Sequence, residues 1–372
     1  MEKNVSKMYE YIVETPVVLK HILENRKKIT QEFANYYKDI NIEQIYIVGS
    51  GTSYHAGVAA KKFLEEIFPG KVFCMYPTQF ARSEKVINKN TLVIGISQGG
   101  QSLSTVEGLN SAKEKGLYTA AISENPTALI FEYSNTKTLI EIGNEKCGAK
   151  TKGFEGTIIT LMLMIMELML KKEQISSNDE NRYIERMLKV IDNMPNIIEE
   201  ATKWFDRISK EFINAKRIIV VGYENNYADV LEGALKILET VREGVAGYDI
   251  EEFFHGIYNS ITDSAHIFYL ASDGDYKDRT VKLIEILSEW TSHHYLISSK
   301  DIQVNSDKYL KCDFTEDKLF GQWEYIIPLQ IVACLGAYQL GINPDIPKDP
   351  NFHKRIGSKK LDGIRDQYTI DK

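Results

Sequence analysis

The sequence predicts an α/β protein made of two doubly wound parallel-sheet domains that are related by internal duplication. Short apolar strands alternate with helical stretches along most of the chain, which is typical of a parallel sheet covered by helices on both faces. Gly- and Ser-rich turns follow two of these strands. The strand–turn–helix pattern that begins at residue 45 returns at residue 218, and a repeat of that length indicates a duplicated domain.

We predict five segments along the 372 residues. An N-terminal helical segment, with Pro16 near a helix start, precedes the first domain, and a helical linker separates the two domains. The last segment is a C-terminal tail, which we expect to close the functional site. In order, the segments are 1–40, 41–172, 173–210, 211–342 and 343–372. The predicted strands are 45–48, 71–75, 91–96, 118–122, 217–221, 266–270 and 294–297.

The amino-acid composition limits the classes of protein to which the chain can belong. With 43% hydrophobic and 26% charged residues, the chain resembles ordinary folded soluble proteins. Its net charge of −7 argues against nucleic-acid binding. The four cysteines form no metal-binding motif, so we expect reduced thiols in the cytoplasm and no metal. The N-terminus has no signal-like apolar core, and the apolar run 157–170 is shorter than the roughly 20 residues that span a bilayer. We therefore expect no membrane partner.

The segment from Ser97 to Ser102 is the most informative turn. It follows an apolar strand and precedes a predicted helix, where backbone N–H groups, a positive helix end and two hydroxyls can cradle a phosphate. Glycines allow the anion to approach the backbone closely. A polar turn without a ligand is an equally good reading of this segment alone.

A second turn of the same kind, Gly49 to Ser53, shifts the balance toward phosphate. Parallel strands gather such turns at their carboxyl ends, where ligands bind. Tyr54 stands where a dinucleotide fingerprint needs glycine, so that motif fails, and no P-loop motif is present. Thr52 and Ser53 suit a small sugar phosphate better than a pyrophosphate.

The second half carries a group of charged residues. Glu232, Lys236 and Glu239 share one face of a predicted helix because they are spaced by four and three residues. Alone, this spacing is usually an exposed salt-bridge stripe, although Gly233 would let another element approach. His255 lies among aromatic and acidic residues, where it is either a proton-transfer group or a core or capping residue.

In these motifs the chain resembles the tandem SIS (sugar isomerase) domain family, nearest to the isomerase half of glucosamine-6-phosphate synthase and to the fructosamine-6-phosphate deglycases. The resemblance covers roughly residues 10–356 and implies two flavodoxin-like domains. It rests on five motifs in the family's order: 49–57, 96–102, 145–152, 231–236 and 254–256.

The resemblance also implies roles for individual residues. The sugar phosphate is held by residues of the two turns: Gly51, Thr52, Ser53, Ser97, Gln98 and Ser102. Glu239 matches the base that moves a proton between C1 and C2, and Glu232 and Lys236 match groups that contact the open-chain sugar. His255 matches the ring-opening histidine, which in the family reaches in from a neighbouring subunit. This implies a homodimer or a larger assembly.

Three further residues are implied near the substrate. Lys354 matches the tail lysine that forms a Schiff base with the open-chain carbonyl. Gly148 and Lys150 are expected close to the substrate, and Lys150 replaces a small hydroxyl residue of the synthase. Gly99 also departs from the family, which usually has Ser there, and so removes one phosphate donor.

We therefore expect a phosphosugar enzyme that needs no cofactor, since the substrate carbonyl serves as its own electron sink. It opens the ring of a 6-phosphorylated amino sugar or fructosamine, enolises it at C1 and C2, and releases the amine as a deglycase or deaminase/isomerase. No counterpart of the synthase's glutaminase half is present, so glutamine is not the expected nitrogen donor. The alternative is a non-catalytic sugar-phosphate sensor, which would need the phosphate turns but not Glu239 and His255.

Overall fold

A computed structural model describes residues 6–361 and shows two compact units, each built on a five-stranded parallel sheet. The first-sheet unit comprises residues 17–146, 152–185 and 348–361, so the described part of the tail belongs to it. The second-sheet unit comprises residues 6–16, 147–151 and 186–347. Two long helices, α1 (Lys7–Glu24) and α7 (Ser177–Phe212), contribute residues to both units.

The first-sheet unit has the strand order β2-β1-β3-β4-β5, the doubly wound order of flavodoxin-like sheets. Its central strand β3 is buried along its whole length, as a parallel strand covered on both faces must be. The strands are β1 (Gln44–Val48), β2 (Lys71–Met75), β3 (Thr91–Ile96), β4 (Tyr118–Ser123) and β5 (Thr136–Leu139). The helices are α2 (Arg26–Tyr37), α3 (Thr52–Ile67), α4 (Pro77–Arg82), α5 (Leu103–Glu114), α6 (Lys152–Lys171) and α12 (Phe352–Ile356).

The second-sheet unit repeats this arrangement with the order β7-β6-β8-β9-β10. Strands β8 and β9 are buried throughout. The strands are β6 (Arg217–Gly222), β7 (Gly244–Asp249), β8 (Ala265–Ala271), β9 (His294–Ser299) and β10 (Leu310–Cys312). The helices are α8 (Asn226–Val241), α9 (Ile250–Phe254), α10 (Lys277–Leu287) and α11 (Gln322–Gln339).

The two sheets confirm the predicted fold class and its internal duplication. Each has the same order of strands, and in each the first strand feeds a 16-residue helix, α3 or α8. All seven predicted strands are present. The sequence did not indicate β5, β7 or β10, because β5 alternates buried and exposed residues, β7 contains two glycines, and β10 has only three residues.

Pro16 does not lie near a helix start, as the sequence suggested, but in the interior of α1. A proline there removes one helical hydrogen bond and costs about 3 kcal/mol. Large apolar side chains on both sides of it are buried, among them Met8, Ile12, Leu19 and Ile22. At about 1.5–3 kcal/mol for each fully buried side chain, their burial offsets the loss and the helix continues.

The apolar run 157–170 lies in α6, which at 20 residues is longer than predicted. Its length and apolar character would fit a membrane span, so the argument from length was wrong. However, 89% of its most apolar window is buried inside the protein. Burial of this kind is what the core helix of a soluble fold shows. None of the four cysteines forms a disulfide, and three of them are buried.

Candidate active site

The first predicted phosphate turn joins β1 to α3. Gly51 precedes the helix with a φ of +56°, a left-handed conformation that favours glycine. Gly49 allows the end of β1 to approach the first turn of α3 closely, since a Cβ at Gly49 would lie 2.9 Å from the carbonyl carbon of Ser53. Thr52 and Ser53 occupy the first turn of α3 and are half-buried, where helix N–H groups lack intrahelical acceptors.

The second turn joins β3 to α5, and it lies at the same sheet edge because β3 is the parallel neighbour of β1. Ser97 and Gln98 directly follow β3 and are each 8% exposed. Gly100 has a φ of +75°, and a Cβ there would meet Ala128 at 2.2 Å. Ser102 caps α5 by accepting a 3.4 Å hydrogen bond from the Thr105 N–H. The structure thus brings the two predicted turns together at one edge.

The side chain of Gln98 is occupied by two carboxylates. Its Nε2 donates to Glu124 Oε2 at 2.9 Å and to Glu145 Oε2 at 2.7 Å, which uses both amide hydrogens. The same Glu145 oxygen accepts the Gly153 N–H at 3.1 Å. Gln98 therefore braces the turn in this structure, and a side-chain contact to phosphate requires that these bonds rearrange.

The sequence analysis assigned no role to Glu124 or Glu145. The sequence features that could have identified them as site residues differ. Glu124 directly follows β4, so the rule that ligand-binding groups collect at strand carboxyl ends could have indicated it. Glu145 is 2% exposed and lies in an irregular segment. Only its position within a family motif singled it out.

Helix α8 holds the three charged residues together. The Lys236 Nζ lies 2.7 Å from Glu239 Oε2 and 3.3 Å from Glu232 Oε1. The side chains of Glu232 and Lys236 are 0% and 1% exposed, whereas that of Glu239 is 37% exposed. The alternative of an exposed salt-bridge stripe is therefore wrong for Glu232 and Lys236. One carboxylate is left accessible at the end of a buried ion-pair chain.

Close packing against α11 buries this face of α8. A Cβ at Gly233 would lie 2.2 Å from Leu329 Cδ1, so glycine permits the approach. The Thr240 hydroxyl donates to the Ala333 carbonyl of α11 at 2.8 Å. Burial disfavours the Lys236 ammonium, but the adjacent Glu232 and Glu239 outweigh it and hold the pKa of Lys236 above its ordinary value.

The remaining predicted residues lie elsewhere in the two units. His255 follows α9 in the second-sheet unit and is exposed rather than part of the core. Gly148 and Lys150 are half-buried in the same unit, where the Gly148 N–H donates to the Asp345 carbonyl at 2.9 Å. Lys354 lies in α12 of the first-sheet unit with an exposed side chain.

A cluster of histidines in the second-sheet unit has the composition of a metal site but not its geometry. Ligand atoms of Glu211, His266 and His293 lie within 4.8 Å of one another. The two imidazole rings are stacked, with centroids 4.1 Å apart and planes 5° apart, so their in-plane lone pairs do not converge on one point. Glu211 already accepts the Lys308 ammonium at 2.8 Å. The cluster is thus an internally paired polar network.

Comparison with known proteins decides the family. The SIS domain model matches residues 40–167. The crystal structure of an inferred phosphosugar isomerase from Clostridium difficile 630 is 37% identical, with a TM-score of 0.89, over 95% of this chain and 99% of the other. The chain belongs to the SIS-domain family.

The SIS resemblance extends over both units. Glutamine–fructose-6-phosphate aminotransferase (isomerizing) from Caldanaerobacter subterraneus is 26% identical over 92% of this chain, but the match covers 57% of that enzyme. The chain spans about half the length of the curated relatives it matches. The C-terminal domain of glucosamine-fructose-6-phosphate aminotransferase from Francisella tularensis shares the fold, with 22% identity and a TM-score of 0.80 over 93% of this chain and 100% of that domain.

Proposed function

We propose that this SIS protein is an enzyme that releases an amine from a 6-phosphorylated amino sugar or fructosamine. The observation that carries the proposal is the ion-pair chain of α8, in which the buried Lys236 fixes the accessible Glu239 at 2.7 Å. Burying charges is expensive, and a protein that only bound a sugar phosphate would not need a positioned base. Homology to the isomerase domain of an aminotransferase supports a nitrogen-bearing phosphosugar.

We assign phosphate binding to the two turns of the first-sheet unit. Helix starts with hydroxyl-bearing side chains provide N–H and O–H donors for a phosphate monoester. The assigned residues are Gly51, Thr52, Ser53, Ser97, Gln98 and Ser102. For Gln98 the assignment requires its amide to leave at least one of the two carboxylates that hold it.

The reaction begins when His255 helps to open the sugar ring. The Glu239 carboxylate then removes a carbon-bound proton, from C1 of an open-chain fructosamine or C2 of an open-chain 2-amino sugar, and the electrons form an enaminol. Returning the proton to the other carbon gives an imine, and water hydrolyses it to a carbonyl and the free amine. A fructosamine thus yields glucose 6-phosphate, and glucosamine 6-phosphate yields fructose 6-phosphate and ammonia.

Neighbouring groups support this step. In our assignment Glu232 and Lys236 contact the open-chain sugar, which requires their side chains to become accessible, because they are 0% and 1% exposed in this structure. The Lys236 ammonium lies 2.7 Å from Glu239 Oε2 and holds that carboxylate in place. Lys354 is assigned as the amine that condenses with the open-chain carbonyl, with loss of water, to form a Schiff base as the ring opens. Hydrolysis of this Schiff base returns the carbonyl and the free lysine before Glu239 removes the carbon-bound proton. We propose release of the amine rather than its incorporation because release needs only the phosphosugar and water. We also propose that the enzyme works in the cytoplasm as a homodimer or larger assembly, with His255 serving a neighbouring subunit.

The proposal is tested by identifying products from a panel of 6-phosphosugars. We expect glucose 6-phosphate and free amine from a 6-phosphofructosyl-amino acid, or fructose 6-phosphate and ammonia from glucosamine 6-phosphate. Thermal shift on the same panel reports binding independently of turnover. Binding without any product would contradict the enzyme and favour a sensor.

A further inference from the structure

The tail of the chain pairs with the second phosphate turn inside the first-sheet unit. The Leu103 N–H donates to the Ser358 carbonyl at 3.1 Å, and the Lys360 N–H donates to the Gln101 carbonyl at 3.1 Å. Between these two bonds, Ser102 and Lys359 form an antiparallel β-bridge. The tail is thus held by backbone bonds at the start of α5, the point to which phosphate binding is assigned.

The pattern of these bonds fixes which side chains are neighbours. Because the two bonds flank Ser102 and Lys359, these residues form a non-hydrogen-bonded pair, with Cα atoms about 4.5 Å apart and side chains on the same face. The lysine stem therefore starts beside the Ser102 hydroxyl. Successive residues of an extended chain point to opposite faces, so Lys360 starts on the other face.

A second contact agrees with this placement. His353 Nδ1 lies 2.8 Å from Ser358 Oγ, so α12 is tied to the paired segment. Partial desolvation of its ring and the positive charge of Lys359 hold the pKa of His353 below its ordinary value. The contact between His353 and Ser358 therefore helps to fix the backbone of the paired segment that carries Lys359.

Two carboxylates lie at the turn. Glu124 and the buried Glu145 lie on Gln98 and bring negative charge to its side chain. Gly99 offers no side chain, and nothing lies within 4 Å of where its Cβ would be. A cation beside the turn would favour a phosphate dianion bound here, since opposite charges attract at close range.

We propose that Lys359 is a phosphate-binding residue that the tail pairing places beside Ser102. Its ammonium neutralises the 6-phosphate of the substrate and adds a charge-assisted hydrogen bond to the donors of the turn. This rests on the proposed function, which assigns the sugar phosphate to this turn.

The matched variants K359M and K360M test the proposal, because the two lysines are adjacent and exposed but start on opposite faces. We would measure the Kd of fructose 6-phosphate by calorimetry for the wild type, K359M, K359R and K360M, with thermal unfolding to confirm that each variant folds. We expect K359M to weaken binding at least tenfold. K359R should stay within about threefold of wild type, and K360M within about twofold.

The outcomes distinguish a failure of the role proposed for Lys359 from a failure of the phosphate site itself. If the wild type binds and K359M binds equally well, Lys359 is not a phosphate-binding residue and the assignment of the turn stands. If K360M loses as much affinity as K359M, the effect is a general loss of positive charge and the proposal is overturned. If neither fructose 6-phosphate nor inorganic phosphate binds the wild type, the phosphate site itself is refuted, and the role of Lys359 with it.

Discussion

Lys236 is a buried cation whose placement depends on two carboxylates. Its side chain is 1% exposed and lies between Glu232 and Glu239. The sequence spacing showed that these residues share a helix face, but not that the face is buried. Burial is decided by α11, nearly 100 residues further along the chain, and local spacing carries no information about such a contact.

Replacing Lys236 with methionine should destabilise the protein by about 3–5 kcal/mol, because it leaves the fully buried Glu232 without its compensating charge. The measurement is urea unfolding followed by circular dichroism. The double variant E232Q/K236M should recover part of the loss, since it removes the stranded carboxylate. If K236M alone is as stable as the wild type, the ion-pair chain is not a buried structural unit.

Gln98 shows a second limit of sequence reasoning at this scale. The family resemblance implied that Gln98 is a phosphate donor, whereas the structure places its amide on Glu124 and Glu145. These partners come from two other segments, and a glycine in α6 makes room: a Cβ at Gly153 would lie 2.1 Å from Gln98 Nε2. Such a three-segment contact cannot be read from local pattern.

At the scale of elements, the packing of α8 on α11 depends on a missing side chain. Gly233 allows Leu329 to approach within 2.2 Å of where a Cβ would be. Changing Gly233 to alanine should therefore lower stability by about 1–3 kcal/mol through overpacking. It should also reduce turnover, because the same helix positions Glu239. Thermal unfolding and the product assay measure the two effects.

Gly244→Ala is the matched control for this prediction. A Cβ at Gly244 would meet only the Lys216 carbonyl oxygen, at 3.6 Å, an ordinary van der Waals distance. Its stability should stay within about 0.5 kcal/mol of wild type. Equal losses in G233A and G244A would mean that the effect is not specific to the contact between α8 and α11.

Elements were predictable where their sequence pattern is strong. Continuous apolar runs identified the central strands, because parallel strands covered on both faces need apolar side chains throughout. The edge strands β7 and β10 were not predicted, because the glycines of β7 and the short length of β10 weaken that pattern. Pro16 gave a false helix start, since tertiary burial overrides the local penalty for proline.

At the scale of the whole molecule, stability should depend on pH through the histidine network. His266 is 4% exposed and stacks on His293. Its Nδ1 lies 2.9 Å from the Tyr295 hydroxyl, and because that hydroxyl donates its own proton to Glu211 at 3.1 Å, Nδ1–H is the donor. Its burial and the charge of His293 lower the pKa of His266 to about 4. The unfolded chain therefore binds this proton more readily between about pH 6.5 and 4, so stability is lost as the pH falls through that window.

The variant H266N should remove this dependence while keeping a side-chain N–H for Tyr295. Between pH 7 and pH 5 we expect the wild type to lose roughly 2 kcal/mol more unfolding free energy than H266N. Denaturant unfolding at the two pH values measures the difference. Parallel losses in both proteins would show that His266 is not the group that titrates.

The duplicated architecture was predictable because both halves carry the same strand–turn–helix pattern. The sequence also showed that the hydroxyl-rich turns belong to the first copy and the charged helix to the second. It could not show which charges are buried, or that the tail pairs with a turn some 250 residues earlier in the chain. Those features arise from contacts between distant segments.

The most direct test of the central claim, that Glu239 is the base of a phosphosugar enzyme, is turnover and binding of the variant E239Q. The amide keeps the shape but cannot accept the proton, so turnover should fall about 10²–10⁴-fold, while the Kd of the phosphosugar should change less than about threefold. E243Q, which alters a carboxylate paired with Lys216 at the surface, should behave like the wild type. If E239Q turns over substrate at the wild-type rate, Glu239 is not the base and the account is contradicted.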